Sequence, residues 1–468
     1  MRLLIGIAAL LLAATAAAED SIAIVGATLI HPERDLPAAV ARDQTVVITG
    51  NRIQRIGPRR STPVPPGARR IDAKGKWVVP GLVDGHVHFF QSGNLYTRPD
   101  VADFNAVVPY LDEVARNKAR LPATFKVWLA SGVTSVVDIG GPYWNFEMRD
   151  AARKRTAAPR VAVAGPLVSM IDDPPLGLSD PPIVKVTTAD EARALVQREL
   201  AYKPDYIKVW FIHQPGDDLA AQEAIVKAAG DAAHAAGVPL AVHATELVVA
   251  KASLRAGADY LVHSVEDEPV DDEFLALAKR NHALYCPTLF VRLGYRYALS
   301  NTWRPTAAER RLADPQILAA MGDLARIPAE KRPERVAKAM ANPAAPEPSA
   351  AELANLRKVW EAGIPVVMGT DAGNIGTLHG PSVFREMQLM VEAGLTPLQV
   401  LRSATVNGAK AMRMERDIGT LAPGKLADLV ILDADPLADV HSLSHIHRVI
   451  KDGRVFSPQA LMRSLDGS

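Results

Sequence analysis

The chain has 468 residues, 48% of them hydrophobic, enough to bury a large core and a smaller second domain. Its 53 Lys and Arg are matched by 52 Asp and Glu, so no global field favours nucleic acid or an anionic membrane surface. Cys286 is the only cysteine, which excludes an intramolecular disulfide.

Met1 and Arg2 precede an almost wholly apolar run, Leu3 to Ala14, followed by Ala16-Ala17-Ala18 and Glu19-Asp20. A charged start, an apolar middle and a small-residue cleavage site make a secretory signal peptide over residues 1–18. The mature chain is expected to begin near Glu19 and to be exported, periplasmic or secreted. The apolar run is shorter than the ~20 residues that cross a bilayer, and no cysteine follows it to carry a lipid.

Residues 19–79 read as short strands. SIAIVGATLI, QTVVITGNRIQRIG and RRIDAKGKWVVP are β-branched runs cut by Gly, Asn-Arg and Lys-Gly turns. Residues 416–468 repeat that style in ADLVILDAD and IHRVIKDGRVF. Two β-rich flanks predict one small composite β-sandwich domain formed from both terminal segments, with the middle as a single insertion.

The middle, 80–415, alternates strand and helix. Strands are predicted at 133–140, 159–165, 206–211, 239–245, 260–265, 284–289 and 364–371, with Ala- and Glu-rich helical segments between several of them. With Gly81 to His88 these make eight, which predicts an α/β fold, a parallel (β/α)8 TIM-like barrel. Between 292 and 348 the rhythm breaks into a charged, proline-bearing stretch. It reads as a helical insertion on the active-site side, either a surface elaboration or a substrate lid.

The residues that carry chemistry sit at the ends of these strands. In VVPGLVDGHVHFF, His86 and His88 stand two apart, so on a strand both rings leave the same face. Neutral imidazoles converging from a rigid element suit a metal. Lys208 lies in YIKVW, His243 in VHA, His263 in VHS and Asp371 in GTD. In a parallel barrel the C-terminal strand ends surround one mouth, so these six converge. Each alone has a plain structural role: a His bonded to a carbonyl, a capping Asp, a snorkelling Lys. Six on successive strand ends do not. Metal ions would repel a charged ammonium, so Lys208 fits only if burial lowers its pKa and the neutral amine takes up carbon dioxide. The resulting carbamate is an oxygen donor able to bridge two metals. There is no GxSxG, no Cys nucleophile in a suitable strand-turn-helix context and no glycine-rich phosphate loop.

PGLVDGHVH, YIKVW, VHA, the Cys-Pro-Thr-Leu strand at 286–289, GTDAG, MVEAGLTPLQVLRSATVNGAKAM and IGTLAPGKLADLVILDADP resemble the metal-dependent amidohydrolase superfamily. The resemblance is to its prolidase-like and imidazolonepropionase-like branch and covers nearly the whole mature chain. It implies two divalent metal ions, expected to be zinc. His86, His88, Lys208 and Asp371 would hold one, and Lys208, His243 and His263 the other, with carboxylated Lys208 as the bridge. It further implies a shared hydroxide attacking a polarised carbonyl, with Asp371 as the catalytic acid and base.

Three departures separate the chain from prolidase-like relatives. Val136-Val137-Asp138 precedes Gly140-Gly141 where Arg-Asp is usual, Ile171 to Pro175 replaces a Gly-Gly-His loop, and Val262 stands for a Glu before the metal His. His379, in LHGPS, matches a family position near the mouth and is expected to bind substrate or stabilise the oxyanion, a helix cap being the alternative. Tyr143 and Trp144 read as pocket walls or plain packing, Tyr143 being a substrate candidate. The expected function is an exported binuclear-metal amidohydrolase cleaving amide or peptide C–N bonds, a dipeptidase or N-acyl-amino-acid hydrolase. Imidazolonepropionase itself is disfavoured, because it resembles a single-metal branch without a bridging lysine. The alternatives are a cyclic amide, lactam or ester hydrolase with the same centre, and a catalytically silent binding protein on the same fold. The expected partner is a small-molecule amide or dipeptide, with no nucleic acid, no stable membrane insertion, and a homo-oligomer left open.

Overall fold

The computed structural model describes residues 21–171, 176–343 and 347–465, so the signal segment and Asp172 to Pro175 lie outside them. The β-branched runs at the start form β1 (Ser21–Ile30), β2 (Val40–Thr49), β3 (Arg52–Pro58), β4 (Arg69–Asp72) and β5 (Trp77–Pro80). β1 pairs antiparallel with β2, and β2 with β3. The first half of β1 also pairs in parallel with β4 and its second half with β5. Gly26, at φ +82, lies between those halves, where a left-handed backbone suits a residue without Cβ.

The alternating middle starts at once with β6 (Leu82–Val87), buried along its whole length. β6, β7 (Val133–Asp138) and β8 (Arg160–Val163) form a three-stranded parallel sheet. β9 (Leu167–Ser169), β10 (Ile183–Lys185), β11 (Ile207–Trp210), β12 (Leu240–His243), β13 (Tyr260–Val262) and β14 (Leu284–Cys286) form a parallel sheet in the order β10-β9-β11-β12-β13-β14. Intervening helices include α1 (Tyr110–Ala130), α2 (Trp144–Arg153), α3 (Ala189–Leu200), α4 (Leu219–Ala235), α5 (Leu247–Arg255) and α6 (Asp272–Arg280). Their apolar faces, with both sides of the strands, make the main core. Parallel bridges join Ala164 to Tyr206, Tyr285 to Val366, and Val87 to Ala372. Pairing therefore runs from β6 to β14, through the segment around 366–372, and back to β6.

That segment departs from expectation. The predicted strand at 364–371 pairs through isolated bridges and single bonds, among them Asp371 N–H to the His86 carbonyl at 2.7 Å. Asp371 sits at φ +59, which turns the backbone out of the extended form before a ladder can develop.

The chain then returns to the first sheet. β15 (Leu429–Leu432) lies antiparallel beside β5, followed outward by β16 (Ile446–Lys451) and β17 (Arg454–Phe456). Strands from both flanks thus share one eight-stranded sheet, with its own apolar cluster including Ile24, Leu29, Val46, Leu429 and Ile431. Residues 292–348 contain most of α7 (Leu289–Leu299), then α8 (Ala307–Leu312), α9 (Pro315–Ala320) and α10 (Glu334–Ala341), ahead of α11 (Ala350–Glu361) and α12 (Ser382–Glu392). Leu299, Trp303, Leu324 and Val336 cluster with Leu95, Tyr96 and Phe104, tying this insertion to the loop that leaves β6. No helix among the described residues is long and apolar enough to cross a membrane.

Candidate metal centre

β6 is held against the 366–372 segment by close backbone approach. A Cβ on Gly85 would stand 2.4 Å from Val367 Cγ1, and one on Gly369 would stand 2.5 Å from Cys286 Sγ. Asp84, fully buried in β6, clamps the two together. Its Oδ1 accepts from His86 N–H (3.2 Å) and Thr370 N–H (3.0 Å), and its Oδ2 accepts from the Thr370 hydroxyl (2.6 Å). Burial pushes this carboxyl up to about 7, against the pull of those bonds.

The clamp sets three donor atoms side by side. His86 Nε2 and His88 Nε2 are 3.3 Å apart, and Asp371 Oδ1 lies 3.3 and 3.1 Å from them. His263 brings its ring centroid to 4.9 Å from that of His86 and 4.3 Å from that of His243. His88 Nδ1 donates to the Gly140 carbonyl at 2.7 Å, leaving the Nε2 lone pair directed at the cluster. His263 Nδ1 is likewise held by Thr288 Oγ1 at 2.7 Å. His263, Thr288 and Asp371 all have left-handed backbones, with φ of +77, +46 and +59. Such strain persists only where surrounding structure over-determines it, and here three instances face one cavity.

Burial, followed by the charge of Lys208, holds His86 well below the usual histidine range. His243 is lowered by the same two causes, and His263 by burial and then His243. These rings are therefore neutral and available as ligands. Lys208 is buried in β11, and burial brings its pKa down to about 7, opposed by Asp371 and Cys286. Among the described residues its Nζ has no hydrogen-bond partner, nor has Asp371 Oδ1. Lone pairs crowded in a dry site repel unless a cation sits among them. His86, His263 and Asp371 each offer an atom within 4.8 Å of the others, so the residues fit a divalent metal ion.

All six predicted ligands line one cavity of about 500 Å³. Its outer wall includes Arg292, Tyr295 and Arg296 from α7 and Arg335 from α10, so the insertion overlooks the site. The two substrate candidates lie elsewhere. His379 stacks on Phe89 (5.5 Å between centroids, 18°) and its Nε2 donates to the His88 carbonyl at 3.1 Å, behind the cavity wall. Apolar packing on Phe89 and Trp128 draws the ring inward, and burial lowers its pKa to about 4. Tyr143 turns away from the cavity to pack on Tyr202, 4.7 Å between centroids, and Phe146. Trp144 carries the Lys118 ammonium 4.8 Å from its ring centroid, beside a neighbouring groove.

Sequence reasoning missed several supporting groups. Arg98 Nη1 donates to Asn374 Oδ1 (2.7 Å) and the Tyr295 hydroxyl (3.0 Å), and Asp100 accepts from its Nε and Nη2. Asn374 Nδ2 in turn donates to the Asp371 carbonyl at 3.0 Å. Asp84 was visible inside the quoted motif, two residues before His86. Arg98 lies in a loop whose sequence gives no periodicity to read.

The sequence profile described as the amidohydrolase family matches residues 77–456. An imidazolonepropionase of Brevibacillus brevis is 36% identical over 109 residues, 22% of this chain, which spans 26% of that relative's length. An imidazolonepropionase of Streptomyces coelicolor is 27% identical over 433 residues, covering 89% of this chain and 90% of the relative. Among solved structures, a prolidase candidate from Bifidobacterium longum superposes with a TM-score of 0.69 at 25% identity, covering 96% of this chain and 99% of that one. A Xaa-Pro dipeptidase with bound methionine in its active site reaches 0.71 at 24% identity over 94% and 100%, a likeness of fold.

Proposed function

The chain belongs to the amidohydrolase family, and from that premise we propose that it is a hydrolase of carbon–nitrogen bonds, an exported metal-dependent enzyme cleaving dipeptides or N-acyl amino acids. The observation that carries this reading is the convergence of four histidines, Asp371 and the partnerless Lys208 on one cavity. On this reading His86, His88, Asp371 and Lys208 would hold one divalent ion and Lys208, His243 and His263 a second, with Lys208 carboxylated so as to serve both. Zinc suits so nitrogen-rich a set. Such a pair of ions would supply Lewis-acid polarisation of a carbonyl and a lowered pKa for water.

The chain's own residues do the rest. Asp371 takes a proton from the attacking water and returns it to the leaving nitrogen. The Gly140 carbonyl fixes the tautomer of His88, and the Thr288 hydroxyl orients the ring of His263. Asn374, steadied by Arg98 and Tyr295, holds the Asp371 backbone in its left-handed turn. Cys286 is no nucleophile, since burial drives its thiol well above the usual range. The paired ring of strands is read as a (β/α)8 barrel over 80–415. The terminal sheet, branching at β1, is read as a β-sandwich of 19–79 and 416–468, and the amino-terminal signal pattern supports export.

The test is direct. Chain refolded with zinc and bicarbonate should carry close to two divalent ions per protomer by elemental analysis and hydrolyse members of a panel of dipeptides and N-acyl amino acids. No stoichiometric metal, or no turnover across the panel, overturns the reading.

A further inference from the structure

Charge is not evenly spread over this molecule. The chain nets +1, yet residues 292–348 hold ten Lys and Arg against six Asp and Glu. The excess lies in the insertion that overlooks the cavity. Four arginines line that cavity, and two are occupied: Arg98 by Asp100, and Arg292 by Glu352 at 2.8 Å and Glu266 at 3.6 Å. Arg296 on α7 and Arg335 on α10 are different. Neither side chain has a hydrogen bond or an acidic partner among the described residues.

Elsewhere on the surface some exposed arginines pair with a carboxylate, and others, such as Arg55, Arg60 and Arg70, pair with none among the described residues. Arg193 pairs with Asp190, Arg326 with Asp323, and Arg357 with Glu361. The residues around Arg335 work against such pairing, because positions 331, 332 and 338 are Lys, Arg and Lys. Two guanidinium groups left without counter-charge at the rim of a low-dielectric cavity focus a positive potential into it. Their planar forks match a carboxylate, which can accept two parallel N–H bonds from each.

Building on the hydrolase reading above, we propose that Arg296 and Arg335 form an anion subsite that receives a carboxylate of the substrate, so that the enzyme selects acidic amides over neutral ones. The insertion is then a specificity element, and its arginines attract substrate and fix its outer end while the bond to be cut lies among the ligands within.

The probes are N-benzoylglycine and its neutral carboxamide, N-benzoylglycinamide, titrated calorimetrically into the zinc-loaded chain at low and high salt. The acid should bind at least about tenfold more tightly than the amide, with an advantage that shrinks as salt rises. Arg296→Gln/Arg335→Gln should bind both alike, weakening the acid and leaving the amide unmoved. Arg296→Lys/Arg335→Lys keeps the charge without the fork and should fall between, which decides the matter should the Gln variant melt early. Equal binding of acid and amide by the unaltered chain, binding of neither, or a preference that survives the substitutions overturns the subsite. No turnover across the panel of dipeptides and N-acyl amino acids beside an arginine-dependent binding preference sinks the hydrolase reading and leaves the subsite standing. Hydrolysis of both probes at equal kcat/KM does the reverse.

Discussion

At the scale of single residues, the proposed function gives Asp371 two duties that one substitution separates. Asp371→Asn keeps size and a carbonyl oxygen but removes basicity. If proton transfer is its main contribution, kcat falls by a factor on the order of 10²–10⁴ with metal retained, because His86 and His88 still hold the ion. Loss of metal in step with rate would instead mark it as chiefly a ligand. Lys208 makes a pH prediction. With its pKa pushed down to about 7, the fraction of neutral amine, the form that the proposed carbamate requires, grows as pH rises through that value. Metal-free chain given zinc and bicarbonate should therefore regain activity faster at pH 8 than at pH 6, and Lys208→Arg, which stays charged, should not regain it at either. That the six residues proposed as ligands line one cavity was legible in the sequence, because period two and strand ends are local properties. The direction of His379 was not, since Phe89 and Trp128, remote in sequence, decide it. Nor was the reach of Asp84 to Thr370, residues brought together only when β6 meets the returning segment.

Among the elements, α7 is the exposed joint of the site. It begins after Thr288 at φ +46, with no side-chain cap of its own. Glu386, from α12, performs that service: its two oxygens accept from Leu289 N–H and Phe290 N–H, both at 2.9 Å. Glu386→Ala should cost about 1–3 kcal/mol in denaturant unfolding and weaken substrate binding through Tyr295 and Arg296. The pH dependence has a definite sign. Burial raises the Glu386 carboxyl from 4.5 to about 8, so its stabilising share is complete at low pH and lost as pH climbs through that window. The gap between wild type and Glu386→Ala should be widest near pH 5 and narrow toward pH 9. A constant gap would show that the carboxyl does not titrate there. Most strands of the middle could be read from short apolar runs between turn residues. β9 and β10, three residues each, carry too little pattern to read, and the 364–371 run was apolar enough to mislead.

For the whole molecule, the centre should act as a staple. The proposed ligands come from β6 and the residue after it, β11, β12, the end of β13 and the segment after Val366, so an ion bound only by the folded chain would stabilise the entire ring of strands. Chelation should lower the melting temperature and added zinc should restore it; an unchanged melting curve would mean the ligands are not joined through metal. That both ends of the chain share one sheet was legible in their matching strand style, whereas the forked pairing of β1 was not, because parallel partners leave no turn signal between them. The seam of that sheet also bears on synthesis. Pro80 pairs with Leu429, so a ribosome delivers every ligand residue before the strand that closes β5 exists. Until then β5 offers an open edge, the kind of surface on which nascent chains pair with their neighbours. A product stopped short of position 429 is thus expected to keep that edge uncovered and to associate with its neighbours, which light scattering of such a truncated chain would check.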